Sequence, residues 1–194
     1  MNPIIPWVAG GLFVAFAGWQ YKLIRDTRKT PMQHYTVEQS ADAFEIRVYE
    51  PFLKASVLEQ GSYSEISYKS FQRLAGYIFG GNEAREQIAM TTPVSMKYTD
   101  TTHKQAEFSF VMPKADVSKP LDASVKMEQV PGFRAASIRF GGVAGEDTFR
   151  EKEAELKTWL DARKIRYIAQ AEWLRYNPPF QLLGRRNEVL LRLQ

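Results

Sequence analysis

The reactive side chains of this sequence restrict the chemistry that it can carry out. It contains no cysteine and only two histidines, His34 and His103, which excludes disulfides, thiolate catalysis, iron–sulfur clusters and cofactor attachment through a CxxCH motif. The motifs GxSxG, HExxH, GxxxxGK and GxGxxG are also absent. The carboxylates of the run REKEAELK, at positions 150–157, have the spacing of exposed i,i+4 ion pairs. We therefore expect a binding protein and not an enzyme, with neither a catalytic nor a metal site.

The charge of the chain is concentrated near its N-terminus. Residues 1–21 hold no charged side chain, whereas residues 22–33 hold four basic residues and one acidic residue, which is +3 of the net charge of +4. The rest of the chain is nearly neutral, with 22 basic and 21 acidic residues. Because a nucleic-acid-binding domain shows a basic face, we expect no nucleic-acid partner.

The uncharged residues 1–21 predict a membrane anchor. They are apolar except at their end, and about 17 apolar residues is the lower limit for crossing a bilayer. Trp7, Trp19 and Tyr21 lie near the ends of this run, where aromatic side chains meet the membrane surface. Basic residues follow the run and none precedes it, which places the C-terminal domain in the cytoplasm. We expect a single-pass membrane protein with a transmembrane helix at 1–21 and a basic juxtamembrane linker at 22–33.

Two other interpretations of the N-terminal segment stay open. Ala15 and Ala17 form an AxA-like site before Gly18, as in a cleaved signal peptide, although no basic residue precedes the apolar run. The segment could also be a buried core helix. Gly10, Gly11 and Gly18 disfavour that interpretation, because glycine weakens a helix in water.

Residues 34–194 predict one α+β domain. In its first half, a capping box at Ser62 and Glu65 and a glycine pair at Gly80 and Gly81 bound a predicted helix. The apolar face of this helix comprises Phe71, Leu74, Ala75 and Ile78. Period-2 alternation and extended apolar runs predict strands near 44–49, 53–58, 88–98 and 108–112.

The pattern of the first half recurs in the second half. EPFLKASV at 50–57 resembles VPGFRAASI at 130–138, and each comes before a helical pattern. The second helix is predicted from about Thr148 to Ala162, and strands are predicted near 125–127, 133–140, 167–176 and 188–193. We expect a duplicated ββαβ unit that forms a curved antiparallel sheet or distorted barrel flanked by two helices. A groove between the halves would be the natural ligand site.

Two longer stretches resemble the SOUL haem-binding protein family. They are YIFGGNEAREQIAMTTPVSM at 77–96 and RYNPPFQLLGRRNEVLLRL at 175–193, and the resemblance covers roughly Tyr35 to Leu193. It implies the duplicated ββαβ fold, which effector-binding domains of drug-responsive regulators share. It also implies non-covalent binding of haem or another tetrapyrrole in a shallow apolar groove.

The first helix and the signature strand hold the candidate residues for such a ligand, which needs an apolar slot and cations for its propionates. We expect Tyr68, Phe71, Met90 and Met96 to line the slot, and Lys69, Arg73 and Lys97 to meet the propionates. The alternatives are plain core for Phe71, Leu74 and Ile78, and solvated surface charge for the three cations.

An axial histidine is not expected. Some family members carry a proposed axial histidine beside the first strand, and the matching position here is Val48. His34 lies at the linker boundary and His103 lies in the polar run TDTTHKQ, so both are expected at the surface. The leading hypothesis is a membrane-tethered tetrapyrrole carrier, buffer or sensor. The alternative is an accessory subunit of a larger membrane complex, with the domain used for protein interaction.

Overall fold

The computed structural model describes the backbone of residues 5–194 and the side chains of residues 16–194. The described residues form three helices and nine strands. The helices are α1 (Ile5–Thr27), α2 (Tyr63–Ile78) and α3 (Glu146–Ala162). The strands are β1 (Tyr35–Ala41), β2 (Phe44–Tyr49), β3 (Phe52–Gln60), β4 (Val94–Tyr98), β5 (Gln105–Val111), β6 (Lys126–Val130), β7 (Phe133–Phe140), β8 (Glu172–Arg175) and β9 (Asn187–Arg192).

All nine strands join in one curled antiparallel sheet, a half-barrel, in the order β1-β2-β7-β9-β8-β4-β5-β3-β6. If β1 is left out, the strand order has a twofold pseudo-symmetry centred between β4 and β8. The equivalent strands of the two halves are β2 and β6, β3 and β7, β4 and β8, and β5 and β9. The similar segments EPFLKASV and VPGFRAASI fall at β3 and β7, which occupy equivalent places. Each half is therefore a ββαββ unit, one strand longer than predicted, and β1 is an addition that the sequence patterns did not indicate.

The halves are interlocked because their first strands are exchanged. β2 pairs with β7 of the second half, and β6 of the second half pairs with β3 of the first. The pair β4 and β8 then joins the halves at the centre of the sheet. Pro93 comes immediately before β4 and so removes no bond from this ladder. Since β4 is central in the sheet, a proline inside it would remove a ladder bond.

The capping box predicted for α2 is present. The Glu65 amide donates to the Ser62 hydroxyl at 3.4 Å, and the Ser62 amide donates to the Glu65 carboxylate at 2.9 Å. These bonds satisfy two amides that the first helical turn leaves without partners. Beyond the helix, Gly80 has φ +110°, a left-handed value that glycine adopts readily. The helix therefore starts and stops where its local sequence directs.

The common core lies between the sheet and helices α2 and α3. Phe149, Leu156 and Leu160 of α3 are fully buried. From α2, Leu74 and Ile78 are buried as well. The helix α3 begins two residues earlier than predicted, at Glu146, after an N-cap glycine that makes no side-chain cap bond.

Two predicted strands are shorter in the structure. Of the predicted extended segment 88–98, only Val94–Tyr98 forms a strand. Of 167–176, only Glu172–Arg175 does. The residues before each strand make isolated bridges, such as the one between Tyr167 and Leu193. Extended backbone without a continuous partner therefore accounts for both differences.

Part of the predicted linker is helical and in contact with the domain. The helix α1 continues to Thr27. The buried side chain of Gln20 accepts a hydrogen bond from the Leu182 amide at 2.8 Å and donates one to the Phe180 carbonyl at 3.1 Å. The ring of Trp19 stacks near that of Phe180, with centroids 6.3 Å apart. The end of α1 thus has a fixed position against the 178–184 loop.

Within the part of the chain that is described, no helix combines the length and apolarity needed to span a bilayer. The side chains of residues 1–15, which make up most of the predicted anchor, lie outside the described residues.

Candidate functional site

The two faces of the sheet have different surroundings. We call the side covered by α2 and α3 the helix face, and Met96, Phe108 and Trp173 lie on it. Because successive strand residues alternate between faces, Lys97 and Leu174 lie on the opposite side, which we call the open face. Candidate ligand surfaces must be sought on one of these faces or on the outside of the helices.

Two small cavities lie at the junction of β4 and β8. One, of about 10 Å³, is on the helix face and includes Tyr63, Phe149, Trp173 and Arg175 in its lining. The other, of about 20 Å³, has a more polar lining that includes Lys54, Glu107, Glu172 and Arg192. Since pockets that enclose drug-sized ligands measure about 300–1,000 Å³, neither can enclose a tetrapyrrole. The groove expected between the halves is filled by side chains at this junction, and a flat macrocycle would need an exposed surface.

The outer side of α2 offers such a surface. Tyr68, Phe71 and Phe79 are 65%, 42% and 66% exposed, and with Ala75 they follow the 3-4-4 spacing that aligns residues along one side of a helix. We call these four residues the α2 stripe. At 1.5 Å rise per residue the stripe is roughly 16 Å long. Three exposed aromatic rings along one side of a helix offer a surface that a flat apolar ligand would cover.

The position of Phe71 corrects the interpretation of this residue as core. Leu74 and Ile78 are buried, whereas the Phe71 ring only touches the core, with its centroid 5.7 Å from that of Phe110 in an edge-on arrangement. Phe71 thus lies at the border of the apolar face, where the core ends and the α2 stripe begins. Tyr68 is more exposed, and its hydroxyl accepts a bond from Gln72 at 2.7 Å.

The cations of α2 differ in their availability. Arg73 is bound to Glu59 at 2.9 Å and to Ser124 at 2.7 Å, and it also approaches Asp122 at 3.5 Å. Lys69 is exposed and forms no ion pair within 4.0 Å among the described residues. A propionate beside the α2 stripe could therefore pair with Lys69 without breaking an existing ion pair, whereas Arg73 would have to exchange partners.

The remaining predicted site residues divide by position. Met90 is half-buried, two residues after Ile88, whose amide donates to the Ile78 carbonyl at the end of α2. Met96 is 3% exposed and belongs to the core. Lys97 lies on the open face, 3.8 Å from Glu107. The structure thus gathers Tyr68, Phe71, Lys69 and Arg73 on α2, puts Met90 near its end, and separates Met96 and Lys97 from them.

Neither histidine contacts the α2 stripe. His103 lies against Tyr98, with ring centroids 4.7 Å apart, and its Nδ1 is 2.7 Å from Arg150. His34 is exposed, and its carbonyl accepts the amide of Glu50. Val48, the position matched to the axial histidine of some relatives, is in β2. Among the described residues, no group of three His, Cys, Asp or Glu side chains could hold a metal ion.

The open face contains a buried ion cluster around Glu188. Arg47 donates to both carboxylate oxygens, at 2.6 and 3.0 Å, and Arg186 lies 2.7 Å from one of them. Tyr176 donates its hydroxyl to the same carboxylate at 2.8 Å. Burial raises the pKa of Glu188, but the bonds and charges of Arg47 and Arg186 outweigh it and leave the pKa below its ordinary value. Arg186 thus pairs with the carboxylate two residues after it in the chain.

Arg185 has a different function in the structure. Its guanidinium donates to the carbonyls of Pro178, Pro179 and Gln181, at 3.1, 3.2 and 2.7 Å. It therefore holds the 178–184 loop in shape instead of joining the ion cluster.

The profile of the SOUL heme-binding protein family matches residues 30–192 of this sequence. This chain belongs to that family. Heme-binding protein 1 of Mus musculus is 29% identical over 131 residues, which cover 63% of this chain and 69% of the relative. Heme-binding protein 1 of Xenopus laevis is 29% identical over 160 residues, covering 78% and 84%, and heme-binding protein 2 of Mus musculus is 26% identical over 169 residues, covering 80% of each. A family of binding proteins supports the expectation that this SOUL family member is not an enzyme, and these relatives give no support to the accessory-subunit alternative.

Solved structures with the same architecture show the breadth of the fold. The C-terminal domain of EcmrR superposes with a TM-score of 0.61 at 11% identity, over 82% of this chain and 98% of that domain. A hydrolase from Listeria innocua superposes with a TM-score of 0.58 at 10% identity, over 90% and 98%. At this level of identity the likeness concerns the fold alone.

One member of the α2 stripe, Phe79, was missed by the sequence analysis. It precedes the glycine pair that ends α2 and does not belong to the buried face, so periodicity alone gave it no function. Its spacing of four and eight residues from Ala75 and Phe71 was the available signal.

Proposed function

We propose that this SOUL family member binds haem or a related tetrapyrrole without a covalent bond, and that the macrocycle lies flat against the α2 stripe. The observation that carries this proposal is the exposed row of aromatic rings on α2. The family and the names of its relatives supply the class of ligand. Lys69, next to Tyr68 and unpaired among the described residues, would meet one propionate.

The proposed binding is governed by apolar contact and not by the metal. Covering partly exposed rings removes apolar surface from water, which favours binding in proportion to the area buried. With both histidines away from the α2 stripe, no imidazole ligates the iron at this surface. We therefore expect haem and metal-free protoporphyrin IX to bind with affinities within a few-fold of each other.

Tetrapyrrole titrations of matched phenylalanine variants test the site. Fully burying a Phe side chain is worth about 1.5–3 kcal/mol, and only part of each ring would be covered. Phe71→Ala and Phe79→Ala should each weaken binding about three- to tenfold, which corresponds to about 0.7–1.4 kcal/mol. Phe180→Ala is the matched control, because Phe180 is similarly exposed, at 52%, but lies in the 178–184 loop and not in the α2 stripe.

The titration would be followed by the Soret absorbance for haem and by fluorescence for protoporphyrin. Equal effects of Phe79→Ala and Phe180→Ala would contradict the placement on α2. A loss of haem binding in a His34→Ala, His103→Ala double variant, with protoporphyrin binding unchanged, would contradict the absence of imidazole ligation.

We further infer that residues 1–21 tether this tetrapyrrole-binding domain to a membrane, with the domain on the cytoplasmic side. The uncharged run and the basic residues that follow it support this orientation. A C-terminal reporter should be active in the cytoplasm, and the protein should stay in the membrane fraction after a high-salt wash. Activity of the reporter only in the exported compartment would refute the orientation.

A further inference from the structure

Arg175 differs from most of the buried and partly buried cations of the domain. Arg47, Lys54 and Arg186 each lie within 3.1 Å of a carboxylate. Arg175, on the helix face of β8, has no carboxylate within 4.0 Å among residues 16–194, and its one protein hydrogen bond goes to the Ala144 carbonyl at 3.2 Å. A guanidinium carries five N–H donors, so most of its donors face no protein acceptor.

The surroundings of Arg175 are apolar on two sides. Its guanidinium carbon lies 5.1 Å from the ring centroids of both Tyr63 and Phe149, the first from α2 and the second from α3. These contacts favour a cation but provide no counter-charge. Burial, followed by the nearby charge of Arg185, lowers the pKa of Arg175 to about 10, so the side chain is still charged at neutral pH.

Tyr63 supplies a second donor at the same place. Its hydroxyl is buried and has no hydrogen-bond partner in the protein, whereas buried hydroxyls are normally bonded. Tyr63 and Arg175 both line the cavity of about 10 Å³ on the helix face of the β4–β8 junction. The carboxylate of Glu188 cannot serve either of them, because it lies on the open face within its own ion cluster.

We propose that this cavity is a binding site for a small monovalent anion, held by the guanidinium of Arg175 and the hydroxyl of Tyr63. A volume of about 10 Å³ is about that of one water-sized group, so the cavity admits one carboxylate oxygen as it stands and a halide ion after a small shift of the Arg175 and Tyr63 side chains. The anion neutralises a partly buried charge that has no carboxylate partner among the described residues. It also accepts the bond that the hydroxyl otherwise lacks. The site lies on the seam between the two halves, so its occupant would hold the N-terminal ends of α2 and α3 together.

Thermal unfolding of the full chain in sodium chloride, acetate and gluconate at equal concentrations tests this proposal. A ligand that binds only the folded state raises the melting temperature with its concentration. Chloride, acetate or both should raise the melting temperature above that in gluconate, whose carboxylate is attached to a polyhydroxy chain too bulky to approach the cavity as closely as acetate does. Stabilisation by chloride alone identifies a halide site, and stabilisation by acetate alone identifies a carboxylate site. Equal melting temperatures in all three salts would overturn the proposal.

Variants separate the anion site from general salt effects. Arg175→Met and Tyr63→Phe should each reduce the anion affinity by at least about tenfold. Both should be as stable as the parent, or more stable, in gluconate, because each removes an unpaired group. Arg163→Met is the matched control, since Arg163 lies 4.2 Å over the Trp159 ring on the exposed end of α3, away from the cavity. It should keep the full anion response.

A crystal soaked in bromide gives a direct answer that does not depend on how stable the variants are. An anomalous peak between Arg175 and Tyr63, absent from Tyr63→Phe crystals, is expected. Anomalous peaks only elsewhere on the surface, or an anion response of Arg175→Met equal to that of the parent, would refute the site.

Discussion

The ion cluster on the open face allows a stability prediction whose size follows from the structure. In Glu188→Gln the carboxylate that Arg47 and Arg186 share is replaced by a neutral amide of the same shape. Arg47 is 1% exposed and Glu188 is 0% exposed, so water cannot replace the lost charge. Breaking a buried pair by removing one partner costs about 3–5 kcal/mol. We expect Glu188→Gln to fall in this range, because Arg186 loses its carboxylate partner and Arg47 keeps only the partly exposed Glu45, at 2.7 Å.

This loss is large relative to the stability of a domain, which is about 5–15 kcal/mol. For a domain of this size each kcal/mol lowers the melting temperature by about 2–4 °C, so the variant should melt about 6–20 °C below the parent. Thermal and urea unfolding measure both quantities. The control is Glu172→Gln, because Glu172 pairs with Arg192 at 2.9 Å with side chains 16% and 30% exposed. It should cost less than about 1 kcal/mol.

The pH dependence gives an independent check of the same carboxylate. Because the pKa of Glu188 in the folded protein lies below its ordinary value of 4.5, its stabilising contribution is complete above that pH. It decreases as the pH falls through the lower pKa of the folded state. The stability difference between parent and Glu188→Gln should therefore be constant near neutral pH and shrink under acid conditions. A cost below about 1 kcal/mol at pH 7, or a difference that grows on acidification, would refute the reasoning.

Three further predictions concern α2 and the end of α1. Leu74→Ala should destabilise the fold by about 2–5 kcal/mol, and Phe71→Ala by clearly less, since Phe71 is 42% exposed. Urea unfolding measures both free energies, and equal losses would show that Phe71 is a core residue. Gly81→Ala should be strongly destabilising, because its Cβ would lie 2.6 Å from a backbone oxygen of α2, and a melting temperature equal to that of the parent would contradict this. Gln20→Ala should speed hydrogen exchange at the Leu182 amide, because this amide donates a hydrogen bond to the Gln20 side chain. Unchanged exchange would mean that α1 does not hold the 178–184 loop.

The local signals of this sequence were sufficient for α2 but not for the limits of its core face. The capping box and glycine pair define a helix because both act within a few residues. Periodicity identifies Leu74 and Ile78 as core, and it also included Phe71, since an apolar residue at the border of a helical stripe has the same spacing whether or not a strand covers it. Only the position of Phe110 relative to α2 decides the matter, and that depends on the packing of the whole sheet.

The separation of Met96 from Lys97 could have been anticipated, whereas the ion cluster could not. Adjacent residues of one strand face opposite sides of a sheet, so Met96 and Lys97 could not serve the same ligand face. The contact of Arg47 with Glu188 joins residues 141 positions apart. It exists because β7 lies between β2 and β9 in the sheet, an order that no local pattern specifies.

The duplicated topology raises the question of how many ligands one chain binds, and the outer faces of the two helices give an answer. The α2 stripe is apolar and exposed, whereas α3 carries ion pairs between Lys152 and Glu155 and between Lys157 and Glu153, each at 2.6 Å. A tetrapyrrole lying on α3 would have to displace these charges and would gain little apolar contact, since α3 has no exposed large apolar side chain among its described residues. We therefore expect one tetrapyrrole per chain, measured by titration at protein concentrations well above the dissociation constant. Two equivalent sites per chain would show that both helices bind the ligand. An unchanged affinity and stoichiometry in the Phe71→Ala, Phe79→Ala double variant would show that the α2 stripe is not the binding surface.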